Sequence, residues 1–566
     1  MRILLLTHGY NSLTQRLHGE LAARGHEVAV EFDIADSVAE EAVDLFHPDL
    51  IVAPYLRRAI PESIWSKHVC LVVHPGIVGD RGPSALDWAI TEGEREWGVT
   101  VLQAEAEMDA GPIWASASFL MRRAKKSGLY RNEVTDAACR TALQAVERYA
   151  AGDRAPTPLA AAGGRGCLRP LIKQADRRID WQRDDTATVL RKIDAGDGFP
   201  GVADELFNEP CHLFDAWPEA KLTGAPGAVI SRRETALARA TTDGAVWIGH
   251  VKRANDIKLP ATLAFPEQAA AIAAAPLAGW HPAGYDTWQD IRYEEADAVG
   301  FLHFEFYNGA MGTRQCERLR EAFAFAATRP TRVIVLMGGT DFWSNGIHLN
   351  LIEHAASPAD ESWANINAID DLAEAILRCD SHLTVAALQG NAGAGGCFLA
   401  RAADAVWARD GVMLNPHYKN MGNLYGSEFW TYLLPPRVGD EGAQRIMQNR
   451  QPMMAGDAVA GGFYDACLAA DPAAFRVDVA RRVAELAQAD DFAARIGAKA
   501  DKRRRDEAAK PLAAYRAEEL AQMKRNFYGF DPSYHVARWH FVRKSLPSWT
   551  PRHLAKHREL ARQAAA

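Results

Sequence analysis

Short apolar runs alternate with helical stretches over the first 150 residues. A helix is indicated around Leu13, Leu17 and Leu21, and five runs have the length of a strand: residues 2–6, 27–32, 49–54, 69–73 and 98–103. This rhythm predicts a parallel sheet with helices on both faces, in which ligands lie beyond the carboxyl ends of the strands. The first strand-to-helix turn, residues 7–15, lacks G-x-G-x-x-G, which disfavours a nucleotide-dependent dehydrogenase.

The rest of the chain divides by composition into further parts. Residues 151–166 are rich in Pro, Gly and Ala and read as a linker, and the short strands of 167–252 predict a small β domain. A second linker is expected over 253–289. A second α/β unit is expected over 290–566, with strands at 332–338 and 382–390 that each lead into a glycine-rich loop. Its last stretch is helical and rich in charge, which is typical of a solvated tail.

Composition excludes several classes of protein. Apolar residues make up 48% and charged residues 24%, which is ordinary globular usage, and the net charge of -8 argues against a nucleic-acid-binding face. No apolar run approaches the ~18 residues of a membrane span, and the apolar start is too short for a signal peptide. The eight cysteines include no CxxC pair, so neither a disulfide framework nor a metal site is expected. The prediction is a cytoplasmic, multidomain protein without a membrane or nucleic-acid partner.

Two strand ends of the first domain carry a histidine and an aspartate beside glycines. The run at 69–73 leads into His74, and the run at 98–103 is followed by Asp109. Such a pair suits acyl transfer from nitrogen. A histidine can polarise the carbonyl, and an aspartate can orient the histidine and assist the leaving amine. Spacing alone leaves open whether the two are catalytic or belong to ordinary loops.

The segments VVHPGIVGDRGPSALDWAI and WGVTVLQAEAEMDAGPIW resemble the folate-dependent formyltransferases, and the resemblance covers residues 1–252. It implies that His74 and Asp109 are catalytic and that 10-formyl-tetrahydrofolate is the formyl donor. One position departs from that family, since Val72 stands where the family has an asparagine that helps to hold the oxyanion. The resemblance also implies a loop that borders the folate site: Arg81, Gly82 and Pro83.

The second half contains two glycine-rich loops, at 338–347 and 390–396. Such loops direct backbone N–H groups at one point and could form an oxyanion hole for a thioester, although the glycines by themselves favour the alternative of close helix packing. The series that includes RVIVLMGGTDFWSNGIHLN and LTVAALQGNAGAGGCFLARAADAVWA resembles the enoyl-CoA hydratase/isomerase (crotonase) family over residues 297–465. That resemblance implies an oxyanion hole at Ile347 and Gly395, and coenzyme A contacts at Asn308, Ile347, Gly395 and Gly396.

Hydratase chemistry is not expected in this half. The two catalytic glutamates of a hydratase fall at Phe398 and His417, neither of which is acidic. Residues 415–432 are dense in titratable groups, and we interpret Tyr418 and Glu428 as a candidate donor and base. A surface loop with a core tyrosine is the alternative for these two residues.

A formyltransferase half joined to a crotonase-like half resembles the HypX-type maturation factors of nickel–iron hydrogenases. The fold expected from this is a Rossmann-like formyltransferase domain, a small β-barrel-like domain, and a crotonase-like α/β spiral domain with a helical carboxyl-terminal tail. The implied activity is formyl transfer from 10-formyl-tetrahydrofolate to coenzyme A, followed by decarbonylation of formyl-CoA to carbon monoxide and CoA. The implied protein partners are hydrogenase maturation proteins or the hydrogenase large subunit.

Two other functions fit the same residues. One is a formyltransferase that acts on an amine, with an acyl-CoA-binding second half, and the other is an assembly scaffold without catalysis.

Overall fold

The computed structural model describes residues 1–559, which form two compact units. Unit 1 comprises Met1–Asp256, Pro260–Ala274 and, among the described residues, 546–559, and unit 2 comprises Ile257–Leu259 and Ala275–Ser545. Within residues 1–559, no helix has the length and apolar character needed to cross a membrane.

A six-stranded sheet forms the first part of unit 1. Its strands β1 to β6 are Arg2–Thr7, Glu27–Phe32, Leu50–Tyr55, Cys70–His74, Glu96–Gln103 and Ile113–Leu120, in the order β2-β1-β3-β4-β5-β6. Strands β1 to β4 are parallel, as predicted, but β5 runs antiparallel to β4 and to β6. The prediction of an all-parallel sheet was therefore wrong at this edge, because an apolar run does not encode strand direction and the short 104–112 connection makes β5 and β6 a hairpin.

Helices cover both faces of this sheet and bury its apolar side chains. The helices α1 to α10 are Ser12–Ala23, Asp36–Phe46, Glu62–Trp65, Ala85–Glu92, Lys126–Leu129, Thr135–Ala150, Leu159–Ala162, Thr186–Gly196, Ala261–Ala264 and Pro266–Ala270, with a π-helical turn at Tyr130–Val134. Helix α1 begins where the Asn11 side chain accepts a hydrogen bond from the Thr14 N–H, which satisfies a free donor of its first turn.

The predicted small β domain is an antiparallel sheet in the order β7-β8-β11-β10-β9. Strands β7 to β12 are Val202–Leu206, Glu209–Glu219, Val229–Arg233, Ala236–Ala240, Ala245–Arg253 and Lys258–Pro260.

The expected linker at 151–166 is bound to the first sheet and its loops. Thr157 and Ile113 exchange backbone hydrogen bonds of 2.7 and 2.9 Å, and the Gly166 N–H donates to the Val78 carbonyl at 3.1 Å. Because its backbone groups are paired in this way, the segment is an ordered connection and not a free tether.

Two further boundaries differ from the sequence prediction. The expected linker at 253–289 contains α9 and α10, and its part from Pro260 to Ala274 belongs to unit 1. The expected last domain, 290–566, is shorter than predicted, because unit 2 ends at Ser545. Its chain from Leu546 onward lies in unit 1, where the Leu554 carbonyl accepts a hydrogen bond from Val30 of β2. Backbone pairing at an edge strand leaves no signal in side-chain pattern, so the sequence did not reveal it.

Unit 2 contains two sheets. Strands β13 to β22 are Ile291–Ala296, Val299–Phe304, Val333–Leu336, Phe342–Ser344, Leu383–Leu388, Asn391–Gly393, Ala405–Arg409, Met413–Asn415, Met453–Met454 and Ala466–Leu468. One sheet has the order β13-β14-β15-β17-β19-β22 and the other β16-β18-β20-β21. The chain passes from the first to the second sheet after β15 and again after β17, so both glycine-rich loops lie where it changes sheet.

Helices surround these sheets and form the predicted helical tail. Helices α11 to α21 are Thr313–Ala327, Leu349–His354, Pro358–Arg378, Gly395–Arg401, Trp430–Leu433, Pro435–Gln448, Ala455–Ala460, Pro472–Gln488, Phe492–Ala509, Leu512–Tyr528 and Ser533–Val542, with a 3-10 turn at Tyr307–Gly309. The main apolar core of unit 2 includes side chains from α11, α13, α14 and α20.

Two candidate active sites

His74 is the last residue of β4 and is 5% exposed. Its Nε2 lies 2.9 Å from Oδ2 of Asp80, and its Nδ1 lies 3.6 Å from Oδ2 of Asp109. The structure therefore brings the two predicted residues together and adds a second carboxylate on the opposite side of the ring. With a carboxylate facing each nitrogen, the orientation of the imidazole is fixed.

Asp80 was missed by the sequence analysis. It is 2% exposed, and it reaches His74 because the chain turns back between them. Gly76 permits that turn: a Cβ there would overlap Nε2 of His74 and lie 2.6 Å from Oδ2 of Asp80. The only hint of this contact in the sequence is the pair of glycines at 76 and 79. They allow a turn, but they do not identify the side chains that meet across it.

Gly76→Ala is therefore expected to disturb the histidine without disturbing the backbone, because the φ of Gly76 is one that alanine adopts. The methyl group should separate His74 from Asp80 and slow formyl transfer by about tenfold or more. The measurement is the initial rate of tetrahydrofolate formation. Gly497→Ala, where a Cβ meets nothing within 4 Å, is the matched control. A normal rate in Gly76→Ala would show that the His74–Asp80 contact has no part in the reaction.

Asp109 also holds the loop that the resemblance assigns to the folate. Its Oδ2 accepts a hydrogen bond of 3.1 Å from the Gly82 N–H, and its own backbone is left-handed, with a φ of 57°. Aspartate is one of the few residues that tolerate this conformation. Arg81 forms an ion pair with Glu107 through its side chain. The predicted residues Arg81, Gly82 and Pro83 thus lie in one loop that is joined to the Asp109 carboxylate.

Val72 lies two residues before His74 on β4, so the two side chains point to the same face. It packs with the apolar side chains of that face. The site consequently has an aliphatic group at the position where the resemblance to the formyltransferases implies an asparagine.

The two glycine-rich loops of unit 2 meet. Strands β15 and β17, which lead into them, are parallel neighbours, and a Cβ on Gly346 would lie 3.2 Å from the backbone nitrogen of Gly395. Ile347 and Gly395 are therefore adjacent loop positions, as predicted. Gly395 is the first residue of α14, so its N–H has no acceptor within the helix.

The other predicted coenzyme A contacts lie around these loops. The Asn308 carbonyl accepts a hydrogen bond of 2.8 Å from the side chain of Asn345, two residues before Ile347. Gly396 approaches the backbone of Ser344 so closely that a Cβ would overlap its carbonyl oxygen. The loop of Asn308 and both glycine-rich loops thus form one cluster of contacting loops.

Glu428 faces this cluster from a buried turn. It is 1% exposed, and its Oε2 accepts a hydrogen bond of 2.5 Å from the hydroxyl of Tyr418, which is itself 5% exposed. A Cβ on Gly395 would overlap Oε1 of Glu428, so the carboxyl group lies directly against the start of α14. The two predicted residues are therefore paired with each other and buried beside Gly395, and the alternative of a surface loop was wrong.

Phe398 makes this environment apolar. Its ring is fully buried and stacks on Tyr418, with the ring centroids 5.8 Å apart. His417 is also buried, at 6% exposed. Neither position holds a carboxylate that could orient a water molecule.

Two acids behind Glu428 were not predicted from the sequence. Asp370 of α13 and Glu519 of α20 are both 0% exposed. Burial, together with the negative charge of Asp370, raises the pKa of Glu428 to about 8. Burial and the charge of Glu428 likewise raise the pKa of Tyr418. Both groups consequently hold protons at neutral pH more firmly than such side chains do in water.

Comparison with known proteins divides the chain in the same way. Residues 26–146 match the formyl transferase family, 171–265 match the formyl transferase carboxyl-terminal domain, and 307–550 match the enoyl-CoA hydratase/isomerase family. Among residues 1–559, no group of three or more His, Cys, Asp or Glu side chains is placed to hold a metal ion.

Three relatives illustrate the similarity. The hydrogenase maturation factor HoxX of Bradyrhizobium diazoefficiens is 55% identical over 99% of this chain and 97% of its own. The crystal structure of HypX from Aquifex aeolicus in complex with tetrahydrofolic acid superposes with a TM-score of 0.96, at 48% identity and 99% coverage of both chains. A methionyl-tRNA formyltransferase of Citrifermentans bemidjiense is 25% identical over 39% of this chain and 69% of its own.

Proposed function

The chain belongs to the HoxX and HypX family of hydrogenase maturation factors, and from this we propose that it makes carbon monoxide for the hydrogenase iron by two successive reactions. The formyl group passes from 10-formyl-tetrahydrofolate to the thiol of coenzyme A in unit 1. Formyl-CoA is then split into carbon monoxide and free CoA in unit 2. CoA is regenerated, so it acts as a carrier. The net change is the conversion of 10-formyl-tetrahydrofolate into tetrahydrofolate and carbon monoxide, which needs no external oxidant.

In the first reaction, the CoA sulfur attacks the formyl carbon and the bond from that carbon to N10 of the folate breaks. His74 is placed by two carboxylates to polarise the formyl oxygen, and Asp109 assists proton transfer to the departing nitrogen. The loop that carries Gly82 borders the folate. The A. aeolicus complex with tetrahydrofolic acid supports folate as the donor.

The change at Val72 supports a thiol as the acceptor. A thiol has a pKa near ~8.5, so it needs less help from a base than an amine does and is the stronger nucleophile once ionised. A transfer to sulfur therefore depends less on an additional polar group in the site.

In the second reaction, Glu428 takes the proton from the formyl carbon and the carbon–sulfur bond breaks. The electron pair of the C–H bond stays on carbon as the lone pair of carbon monoxide, and a lone pair of the oxygen forms the third carbon–oxygen bond. The pair of the C–S bond leaves with sulfur, and the thiolate recovers the proton to give CoA. The N–H groups of Ile347 and Gly395 hold the thioester oxygen, and Tyr418 keeps Glu428 in place. The apolar wall that includes Phe398 keeps water from the reactive thioester.

One observation carries this proposal: a buried carboxyl group lies against Gly395, where the related hydratases bind a thioester, while both hydratase glutamate positions hold other residues. That arrangement provides a base for the acyl group and no group that activates water. A product analysis tests it against the two rival functions. With donor labelled at the formyl carbon, label should appear first in formyl-CoA and then in carbon monoxide. Label in a formylated amine would favour the amine formyltransferase, and label that stays in the donor would favour the scaffold.

The raised pKa of Glu428 predicts the pH dependence of the second reaction. Only the ionised carboxylate accepts a proton, so carbon monoxide release from added formyl-CoA should rise from about pH 6 to about pH 9, with a midpoint near the pKa of about 8. Glu428→Gln serves as the blank for non-enzymatic loss of formyl-CoA. A rate that is flat or falls over this range would contradict the role of Glu428 as the base.

The family membership points to proteins of the hydrogenase assembly machinery, or to the hydrogenase large subunit, as recipients of the carbon monoxide. Retention of this chain on an immobilised large subunit that still lacks its iron ligands would support direct delivery.

A further inference from the structure

The turn that carries Glu428 has an uncommon backbone. Both Glu428 and Phe429 are left-handed, with φ angles of 59° and 60°. Residues other than glycine rarely adopt this conformation, and two in succession persist only where their surroundings hold them. The side chain of Glu428 reaches Gly395 from this turn, so whatever holds the turn also directs the carboxyl group.

A buried carboxylate on α13 binds the turn from one side. Oδ1 of Asp370 accepts the Glu428 N–H at 2.9 Å, and the Ser427 hydroxyl lies 2.8 and 2.7 Å from the two oxygens of Asp370. Glu519 of α20 accepts the next free N–H groups, those of Phe429 at 3.0 Å and Thr431 at 2.8 Å. The backbone donors of the left-handed turn are thus bound by two buried acids that are distant in sequence.

We propose that Asp370 is a positioning residue for Glu428, whose carboxylate fixes the left-handed turn and whose negative charge sets the proton occupancy of Glu428. The proposal rests on the proposed function only in that Glu428 is the base; the contacts themselves do not depend on it.

The charges around Glu428 are consistent with this role. The titratable groups that face it are Tyr418, Asp370, Glu519, Cys316 and Cys397. The nearby cation is Arg516, whose Nε lies 3.9 Å from Asp370 and whose guanidinium also pairs with Asp371 and Glu374. Arg516 therefore offsets the negative charge of Asp370 more than that of Glu428.

The proton of the buried pair consequently resides mainly on Glu428. Burial raises the pKa of both groups and hydrogen bonds oppose the rise at both. The charge of Asp370 adds to the rise at Glu428, whereas the charge of Arg516 opposes it at Asp370. Asp370 is thus the group that ionises first as the pH increases. Its charge makes Glu428 a stronger base than an isolated carboxylate.

Asp370→Asn in the full chain tests the proposal, because asparagine keeps the shape and an acceptor for the Glu428 N–H but removes the charge. The readout is the infrared C=O stretch of the protonated Glu428 carboxyl, assigned by its loss in Glu428→Gln. We expect its titration midpoint to fall by about one pH unit or more, which is about tenfold in the proton-binding constant. The pH at which carbon monoxide release is half-maximal should fall with it. Asp360→Asn, the same change in the exposed first turn of α13, should leave the midpoint unchanged.

A second variant covers the case in which Asp370→Asn fails to fold. Ser427→Ala leaves Asp370 in place and removes its hydroxyl hydrogen bonds, so Asp370 becomes easier to protonate and the Glu428 midpoint should again fall, by a smaller amount.

The two readouts separate this inference from the proposed function. A wild-type protein that releases no carbon monoxide from formyl-CoA contradicts the proposed function, and the infrared titration still decides the role of Asp370. An unchanged midpoint in folded Asp370→Asn contradicts the inference, whether or not carbon monoxide is made. A lowered midpoint with an unchanged rate profile would contradict its link to catalysis.

Discussion

His74→Ala and Asp109→Asn should each slow formyl transfer by about a hundredfold or more, because each removes a group that polarises the formyl oxygen or moves a proton. The rate is measured as tetrahydrofolate formed from 10-formyl-tetrahydrofolate and CoA. His74 lies at the end of β4 and Asp109 in the connection between β5 and β6, so both variants should fold. Loss of the Asp109 carboxylate should additionally weaken the hold on Gly82 and reduce folate affinity.

Asp36→Asn is the matched control for these variants, since Asp36 lies in unit 1 with a side chain that is 61% exposed. It should react at the wild-type rate. Both variants should also retain carbon monoxide release from added formyl-CoA, because that reaction is assigned to unit 2. Unchanged tetrahydrofolate formation by His74→Ala and Asp109→Asn would contradict the proposal that these two residues carry out formyl transfer.

Glu428→Gln should abolish carbon monoxide release while formyl transfer continues. Glutamine keeps the size of the side chain and can still meet the Tyr418 hydroxyl, but it cannot accept the formyl proton, so a loss of about a hundredfold or more is expected. Formyl-CoA, or formate from its hydrolysis, should accumulate in place of carbon monoxide. Tyr418→Phe should act in the same direction more mildly, because the base stays but loses its fixed partner.

The control for this pair is Glu441→Gln on α16, whose side chain is 95% exposed. It should release carbon monoxide at the wild-type rate. Normal release by both Glu428→Gln and Tyr418→Phe would show that the base lies elsewhere, with His417 as the next candidate because it is buried beside Tyr418.

The sequence was most informative where contacting residues lie in short, recognisable segments. His74 and Asp109 follow consecutive strands of the chain, and the residue types at 415–432 identified Tyr418 and Glu428 as a pair. The structure places the members of each pair together, at 3.6 Å from Asp109 to the imidazole and at 2.5 Å between Tyr418 and Glu428.

Contacts between distant segments were not predictable from pattern. Asp370 lies on a helix in which an acidic residue reads as part of a solvated face, yet α20 and the Glu428 turn enclose it. In unit 1, the chain beyond Leu546 returns to β2, where His557 and Glu31 form a hydrogen bond of 2.9 Å between two fully buried side chains. Burial of such polar residues requires a partner, and the sequence does not identify a partner more than 500 positions away.

Trapping of carbon monoxide on reduced haem tests the central claim most directly. The full chain is incubated with 10-formyl-tetrahydrofolate and CoA, and the haem spectrum is followed together with tetrahydrofolate. The account predicts that carbon monoxide appears only when both the formyl donor and CoA are present, that CoA turns over many times, and that Glu428→Gln stops carbon monoxide but not tetrahydrofolate. Tetrahydrofolate formation by the wild-type protein without any carbon monoxide, or carbon monoxide formation without CoA, would contradict it.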